Sequence, residues 1–480
     1  MLDMIIKGGK VVADGKVRLS DIGIKGEKIV SVDPPGTLTN NNALKIIDAS
    51  GKLVIPGGVE AHTHVGFPHL SSVWGNVTAG PEDLSRAALW GGTTTMMDFA
   101  KVDQDKNWDA LRAIQDHLKN FKGRMYIDYS AHVSYLGPST TPENIAQVKD
   151  LVSAGFPSIK VYTTNHAPMP NRPVTMINTG QLIAIMEQAA EYGAIIAIHS
   201  EDDEIVQWNY KMAQLTESTE WWRLPQIRSN ISEDLSVRKC VRIAELTGAA
   251  MYIVHTSSKE GVEAIAESKA KGYPVDGETI LLYCSFNSEN YKESDGMKYH
   301  TYPSTKSEGD RLRLWEGLHK GDLNILATDA IGTSYNHKIS GRTAFDVQGG
   351  NNGIEIRIPV AYTEGVVKQG MPVERFVDIV ATNPAKLLGM YPQKGCIAPG
   401  SDADIVILDT SVSRNITYKD LHLNDYTPWE GWEVKCWPST VTLRGKIMID
   451  DNQFFGELSD GQLVRRKIAP DVLRNPLNKA

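Results

Sequence analysis

The spacing of apolar residues changes twice along the chain and divides it into three parts. Up to about residue 52, short stretches of alternating apolar and polar residues are separated by glycine-rich turns. This pattern is typical of the strands of a small antiparallel sheet. The same rhythm returns from about residue 394, so the two ends of the chain are expected to build one sheet domain together.

Between these ends, apolar runs alternate with amphipathic segments of helical length. The runs that we interpret as strands are residues 53–59, 93–99, 125–132, 158–162, 194–199, 251–255, 273–278 and 323–329. Helices are predicted between them, for example over residues 142–154, 178–192, 232–247 and 260–271. Strand–helix alternation of this kind predicts an α/β fold with a parallel (β/α)8 TIM-like barrel.

The pattern gives four expected segments. Residues 1–55 and 391–460 form a small β-sandwich domain, and residues 56–390 form the barrel. Residues 461–480 are rich in Arg, Pro, Lys and Asn, which predicts an extended tail. One interpretation is that this tail becomes ordered only against a neighbouring subunit.

Composition narrows the class of protein. The chain has 480 residues and 41% of them are hydrophobic, enough for a barrel core and a second domain. A net charge of −8 without a cluster of Lys and Arg argues against a nucleic-acid partner. No apolar run reaches the length of a membrane span, and residues 1–10 lack a signal pattern, so we expect a cytoplasmic protein without a membrane partner.

Two further classes are disfavoured by the sequence. The chain has no Gly-x-Gly-x-x-Gly or Walker pattern, so a nucleotide cofactor is not expected. The cysteines are far apart and form no Cys-x-x-Cys pair, which predicts reduced, buried thiols rather than a disulfide framework. They are Cys240, Cys284, Cys396 and Cys436.

Candidate catalytic residues stand at or near the ends of the predicted barrel strands, where active sites of this fold lie. They are His62, His64, Lys160, His199, His255 and Asp329. The His-x-His spacing places both rings of the first pair on the same side of an extended strand, as two ligands of one metal require. Each residue taken singly more often has a structural role, but together the six are better explained by a metal site.

The residue types suit two divalent metal ions. Histidine and carboxylate ligands favour zinc, with manganese, iron or cobalt as alternatives. An ammonium group at Lys160 would repel a cation. Reaction of the free amine with CO2 gives a carbamate, an anion whose two oxygens can bridge two metals. Burial in an apolar strand lowers the pKa of a lysine and so favours the reactive amine.

Several segments resemble motifs of the cyclic amidohydrolases, and of their dihydropyrimidinase and hydantoinase branch in particular. The resemblance covers nearly the whole chain and is carried by residues 54–64 (VIPGGVEAHTH), 91–99 (GGTTTMMDF), 158–162 (SIKVY), 197–201 (AIHSE), 252–258 (YIVHTSS) and 425–435 (DYTPWEGWEVK). It implies a metal-dependent hydrolase of non-peptide carbon–nitrogen bonds. The expected substrate is a small cyclic amide such as a hydantoin, dihydropyrimidine or imide, and the expected assembly is a homotetramer.

The resemblance also implies a role for each ligand. His62 and His64 would bind the more buried ion, completed by Asp329, and His199 and His255 would bind the other. Carboxylated Lys160 would bridge the two ions. A hydroxide between them would attack the ring carbonyl, and Asp329 would pass its proton to the leaving nitrogen.

The chain departs from the family where the substrate is held. Asn165 stands at a tyrosine position, Tyr302 at a serine position and Gly349 at an asparagine position, with Asn351 two residues later. Asn165, Tyr302 and Asn351 are therefore the predicted substrate contacts, together with His69 in the loop after the histidine pair. This pattern indicates retained hydrolytic machinery with altered recognition, and it leaves the natural substrate and its stereochemistry open.

Two other interpretations stay open at this point. The same metals and fold could act on a linear amide, a lactam or a heteroaromatic carbon–nitrogen bond, which product analysis would separate from ring opening. A dihydropyrimidinase-related protein could also act by assembly without catalysis. Such relatives typically lack metal ligands, whereas all six positions are filled here.

Overall fold

The computed structural model describes residues 1–39, 43–66, 78–103, 108–165, 174–423 and 425–477. In this part of the chain the N-terminal strands are β1 (Leu2–Ala13), β2 (Lys16–Lys25), β3 (Lys28–Asp33), β4 (Ala43–Asp48) and β5 (Leu53–Pro56). The central strands are β6 (Gly58–Glu60), β7 (Thr93–Lys101), β8 (Asp128–Ser134), β9 (Ser158–Tyr162), β10 (Ile195–His199), β11 (Ala250–Ile253), β12 (Val275–Ile280) and β13 (Ile325–Ala327). The C-terminal strands are β14 (Ile405–Asp409), β15 (Arg414–Asn415), β16 (Glu433–Val434), β17 (Trp437–Leu443), β18 (Lys446–Asp450) and β19 (Gln453–Phe454).

The helices surround the central strands. They are α1 (Pro81–Trp90), α2 (Ala110–Lys119), α3 (Pro142–Ala146), α4 (Val148–Ser153), α5 (Thr179–Tyr192), α6 (Asp203–Leu215), α7 (Leu224–Ile227), α8 (Asn230–Thr247), α9 (Lys259–Ala270), α10 (Leu281–Ser285), α11 (Glu308–Lys320), α12 (Tyr335–Lys338), α13 (Arg357–Ala361), α14 (Val373–Val377) and α15 (Asn383–Leu387). None of the helices in the described ranges combines the length and the apolar character that a membrane crossing requires.

The central strands form the predicted parallel barrel. Strands β6 to β13 pair with their sequence neighbours in one continuous parallel order. A parallel bridge between Thr63 and Ala330, just beyond β6 and β13, brings the two ends of this order together. The strands are buried on both faces, as a barrel covered by helices requires. The prediction of a TIM-like barrel is confirmed.

The second sheet is built from both ends of the chain, as predicted. Its order is β19-β18-β17-β14-β5-β1-β2-β3, with β4 paired to β1. Strand β5 therefore has a strand from the N-terminal part on one side and one from the C-terminal part on the other. A small apolar core that includes Ile6, Ile24 and Ile405 is separate from the large core of the barrel.

A buried lysine joins the sheet to the barrel. Lys394 Nζ lies 2.9 Å from Asp402 Oδ2 and 2.7 Å from Asp404 Oδ2, and it also pairs with Asp128 at the start of β8. The three carboxylates alone have the spacing of a metal site. The ammonium group among them accounts for the cluster as a network of buried ion pairs.

The C-terminal tail packs against the barrel of its own chain. Tyr129 N donates to Gln462 O at 3.0 Å and accepts Val464 N through its carbonyl at 2.8 Å. The buried Arg466 guanidinium donates to Ser130 Oγ and Ser158 Oγ, each at 2.9 Å. These contacts hold part of the tail against its own chain, and its ordering by a neighbouring subunit stays a prediction.

The cysteines have no disulfide partners. Cys240, Cys284 and Cys436 are buried, as predicted for structural thiols, and burial raises the pKa of Cys240 to about 11. Cys396 is only half-buried, which differs from the prediction, and it lies in the connection between α15 and β14.

Candidate metal centre

The His-x-His pair and Asp329 come together at the mouth of the barrel. His62 Nε2 and His64 Nε2 lie 3.2 Å and 3.0 Å from Asp329 Oδ1. His64 N donates to Ala330 O at 2.9 Å, which fixes the pair against the segment that follows β13. The ligand atoms of the three side chains all lie within 4.8 Å of one another, close enough to bind one ion.

His199 and His255 form a second pair of ligands. His199 ends β10, and His255 lies two residues beyond β11. His199 Nδ1 and His255 Nε2 are 3.1 Å apart, and the rings of His62 and His255 have centroids 5.3 Å apart. Burial lowers the pKa of both His199 and His255 and so favours the neutral ring, which is the form that binds metal.

Lys160 lies in β9 beside β10, close enough to His62, His199 and His255 for its charge to contribute to lowering the pKa of each. It is fully buried, and Nζ has no hydrogen-bond partner among the described residues. Nζ lies 5.3 Å from the ring centroid of Phe99 and 5.1 Å from that of Tyr162. Burial lowers the pKa of Lys160 to about 7, which makes the uncharged amine accessible near neutral pH. An unpartnered amine surrounded by neutral imidazoles fits a site that is completed by carboxylation and metal.

Buried carboxylates orient two of these histidines. Glu278 Oε1 accepts a hydrogen bond from His62 Nδ1 at 2.8 Å and from His255 N at 3.1 Å. Glu201 Oε2 lies 2.8 Å from His199 Nε2. A carboxylate bound to one nitrogen of an imidazole fixes the direction of the other nitrogen. His62 Nε2 is thereby directed at Asp329, and His199 Nδ1 is directed at His255.

Glu201 is held by a second buried charge. Arg228 Nε donates to Glu201 Oε1 at 3.1 Å, and Arg228 Nη2 donates to Glu201 Oε2 at 2.6 Å. Burial alone would raise the pKa of Glu201, but the Arg228 charge and the His199 hydrogen bond hold it well below its usual range. These contacts therefore favour the anionic form of Glu201, which can orient His199.

Substitution Arg228→Met is expected to destabilise the protein by about 3–5 kcal/mol, because Glu201 would remain buried without its cation. Chemical unfolding followed by fluorescence measures the change. The matched control is Arg223→Met, which removes the exposed partner of Glu220 and should change stability little. Equal effects of the two substitutions would contradict the proposed importance of the buried pair.

Asp329 has a backbone conformation that is rare outside glycine. Its φ is +52°, and that of His255 is +39°. Thr301 Oγ1 donates to Asp329 Oδ2 at 3.1 Å, and Asn351 Nδ2 donates to Thr328 O at 2.8 Å. The left-handed backbone turns Asp329 towards the histidines, and these contacts hold it there.

The residues predicted to contact the substrate make different hydrogen bonds in the structure. Asn165 Oδ1 accepts Thr175 N at 2.9 Å and Met176 N at 3.2 Å, so the amide also shapes its own loop. Asn351 Nδ2 lies 3.5 Å from Asp329 O, whereas the Tyr302 hydroxyl donates to Val347 O at 3.3 Å. His69 lies outside the described residues. The substrate-binding role of these residues stays a prediction.

Sequence reasoning missed several residues that support the ligands. They are Glu201, Arg228, Glu278 and Thr301. Glu201 and Glu278 offered a signal, since one follows a predicted ligand by two residues and the other ends a predicted strand. Arg228 offered none, because its partner is 27 residues away in the sequence.

A parallel barrel with buried histidines, a lysine and an aspartate at its mouth defines a metal-dependent hydrolase of the TIM-barrel class. Residues 53–448 match the Amidohydrolase family, and the chain belongs to that family.

Relatives resemble the chain over almost its full length. It is 31% identical to the D-hydantoinase of Ralstonia pickettii, over 97% of this chain and 99% of that one. It is 32% identical to the D-hydantoinase of Geobacillus stearothermophilus, over 96% of each chain. The crystal structure of dihydropyrimidinase from Brevibacillus agri NCHU1002 superposes with a TM-score of 0.90 at 30% identity, covering 98% of this chain and 100% of that one.

Proposed function

We propose that this protein is a binuclear metal-dependent hydrolase that opens a cyclic amide. The observation that carries the proposal is the convergence of two histidine pairs, Asp329 and an unpartnered buried lysine in one mouth. The names of the relatives, D-hydantoinase and dihydropyrimidinase, support ring opening in particular.

The residues suit two ions in the arrangement expected from the sequence. His62, His64 and Asp329 would hold one ion, and His199 and His255 would hold the other. Lys160, as a carbamate formed with CO2, would bridge them. The donor set fits zinc, with manganese, iron or cobalt as alternatives. When bound, the ions polarise the scissile carbonyl and lower the pKa of water.

Side chains of the protein itself would transfer the proton and hold the metal ligands in place. Asp329 Oδ2 is the proposed proton carrier, taking a proton from the attacking water and returning it to the leaving nitrogen. Thr301 Oγ1 donates to that same oxygen at 3.1 Å and so fixes the carboxylate rotamer. Glu278 and Glu201 keep the ligand nitrogens of His62 and His199 directed inward.

The test is turnover of a panel of rings by protein loaded with zinc or manganese in the presence of bicarbonate. The panel contains dihydrouracil, hydantoin, aryl hydantoins, succinimide, phthalimide and allantoin. Opening of at least one ring, identified by mass spectrometry of the acid product, is the expected result. No ring opening by protein with confirmed bound metal would overturn the proposal. The homotetramer and the domain boundaries stay predictions.

A further inference from the structure

A buried lysine joins two loops at the mouth of the barrel. We call residues 300–302 and 347–351 the loop pair. Lys338 ends α12 and is fully buried, and its Nζ donates to His300 O at 2.5 Å and to Gln348 O at 2.7 Å. Both acceptors are backbone carbonyls, one in each loop. A single ammonium group therefore fixes the distance between the two loops.

The first loop holds the side chain of Asp329. Thr301 is buried and donates from its Oγ1 to Asp329 Oδ2 at 3.1 Å. This oxygen is the proposed proton carrier. Because Thr301 directly follows His300, a shift of the His300 carbonyl would also move the hydroxyl that holds the carboxylate.

The second loop holds the backbone on both sides of Asp329. Asn351 Nδ2 donates to Thr328 O at 2.8 Å, and Asn351 O accepts Ile331 N at 2.9 Å. Asp329 itself has a φ of +52°, a conformation that persists outside glycine only where the surrounding structure enforces it. The contacts of Asn351 supply part of that enforcement, and the loop that makes them is bonded to Lys338 through Gln348 O.

The two loops also pack directly against each other. A Cβ atom added at Gly349 would lie 2.7 Å from Tyr302 Cδ2, so the Tyr302 ring fills the space beside this glycine. Tyr302 Oη donates to Val347 O at 3.3 Å. The loop pair is therefore one packed unit, and Lys338 is bonded to both of its halves.

We infer that Lys338 is a positioning residue for the proposed proton carrier, acting on Asp329 through Thr301 and Asn351. The inference rests on the proposed ring-opening function. A proton carrier must come within hydrogen-bond distance of the water and then of the leaving nitrogen, and a displacement of about 1 Å can lower the rate about 100-fold. Among the described residues, Lys338 Nζ donates to the two carbonyls and to no proposed metal ligand, so its contribution is to the geometry of Asp329.

Substitution Lys338→Met keeps an unbranched side chain and removes both hydrogen bonds to the loop pair. With the ring that the metal-loaded wild type opens fastest, kcat is expected to fall by about 10- to 100-fold, because Asp329 loses its fixed position. The metal content should change little, because no proposed metal ligand is removed. Steady-state kinetics at saturating substrate and elemental analysis of the same preparation measure both quantities.

A double variant tests whether the lysine acts through Asp329. If it does, Lys338→Met should cause little further loss once Asp329→Asn is present, and kcat of the double variant should agree with that of Asp329→Asn within about twofold. A lysine that only stabilises the fold would lower kcat by the same factor in both backgrounds. Thr301→Val removes the intervening hydroxyl at nearly constant shape, and it should show the same lack of additivity with Asp329→Asn.

A buried lysine elsewhere in the barrel is the matched control. Lys269 pairs with Asp276 at 2.6 Å, near the start of β12, so Lys269→Met should lower stability and leave kcat near the wild-type value. Lys338→Gln keeps an N–H donor for the loop carbonyls, and its kcat should lie between those of the wild type and Lys338→Met. This second variant keeps the test decisive if the methionine variant does not fold, and thermal unfolding shows which variants are folded.

The outcomes separate the inference from the function on which it rests. Wild-type kcat in a folded Lys338 variant, or equal losses in the presence and absence of Asp329→Asn, would overturn the positioning role and leave the cyclic amide hydrolase standing. No opening of any ring by the wild type, with metal confirmed, would overturn both proposals.

Discussion

Substitution Lys160→Ala is expected to remove bound metal and turnover together. Within the part of the chain that the structure describes, Nζ is buried without a hydrogen-bond partner, and its carbamate is the proposed bridge between the ions. Groups that only orient metal ligands already change affinity or activity about 10–100-fold, and loss of a bridging ligand should lower turnover by about 100-fold or more. Elemental analysis and kcat on the same preparation measure both effects.

Two comparisons make the Lys160 test specific. Short carboxylates such as acetate or propionate should partly restore metal and turnover in Lys160→Ala, because they can occupy the space of the carbamate. Lys160→Arg keeps a long basic side chain but cannot form a carbamate, so it should stay inactive. Full activity in either variant without added carboxylate would disprove the bridging role.

Substitution Asp329→Asn is expected to lower kcat by about 100- to 10,000-fold, the usual contribution of a positioned proton carrier. The amide fits the same space, and its oxygen can still accept Thr301 Oγ1, so the fold should be retained. Circular dichroism, metal content and kcat distinguish loss of chemistry from loss of structure.

A buried aspartate elsewhere in the barrel serves as the control for Asp329. Asp276 lies near the start of β12 and pairs with Lys269 Nζ at 2.6 Å. Asp276→Asn should lower stability and leave kcat near the wild-type value. If Asp329→Asn turned over substrate as fast as this control, Asp329 would not be the proton carrier.

The alternation of apolar runs with segments of helical length was sufficient to predict the barrel. Strand β9 was located at its observed limits, Ser158–Tyr162. The ends of other strands were less accurate. The predicted sixth and eighth strands ended at His255 and Asp329, but both residues lie in left-handed turns beyond β11 and β13. The spacing of apolar residues carries no information about the φ angle of an individual residue, so it could not predict these positive values.

The supporting contacts of the site could not be predicted from periodicity. Lys338 joins carbonyls 38 and 10 residues away, and the Tyr302 ring fits a glycine at position 349. Such pairs are decided by packing in three dimensions and leave no repeating pattern in the chain. The sequence did show that positions 302 and 349 differ from the family, and the structure explains the two differences as one complementary pair.

Arg466 makes hydrogen bonds to the barrel from near the C-terminal end of the chain, and this position sets when those bonds can form during synthesis. Its guanidinium donates hydrogen bonds to Ser130 in β8, to Ser158 in β9 and to Leu388 O. One side chain near the end of the chain therefore connects three segments that are far apart in the sequence. A ribosome releases these segments long before residue 466 emerges. These contacts can therefore form only after residue 466 has been synthesised, and a chain that ended before that arginine would lack all of them.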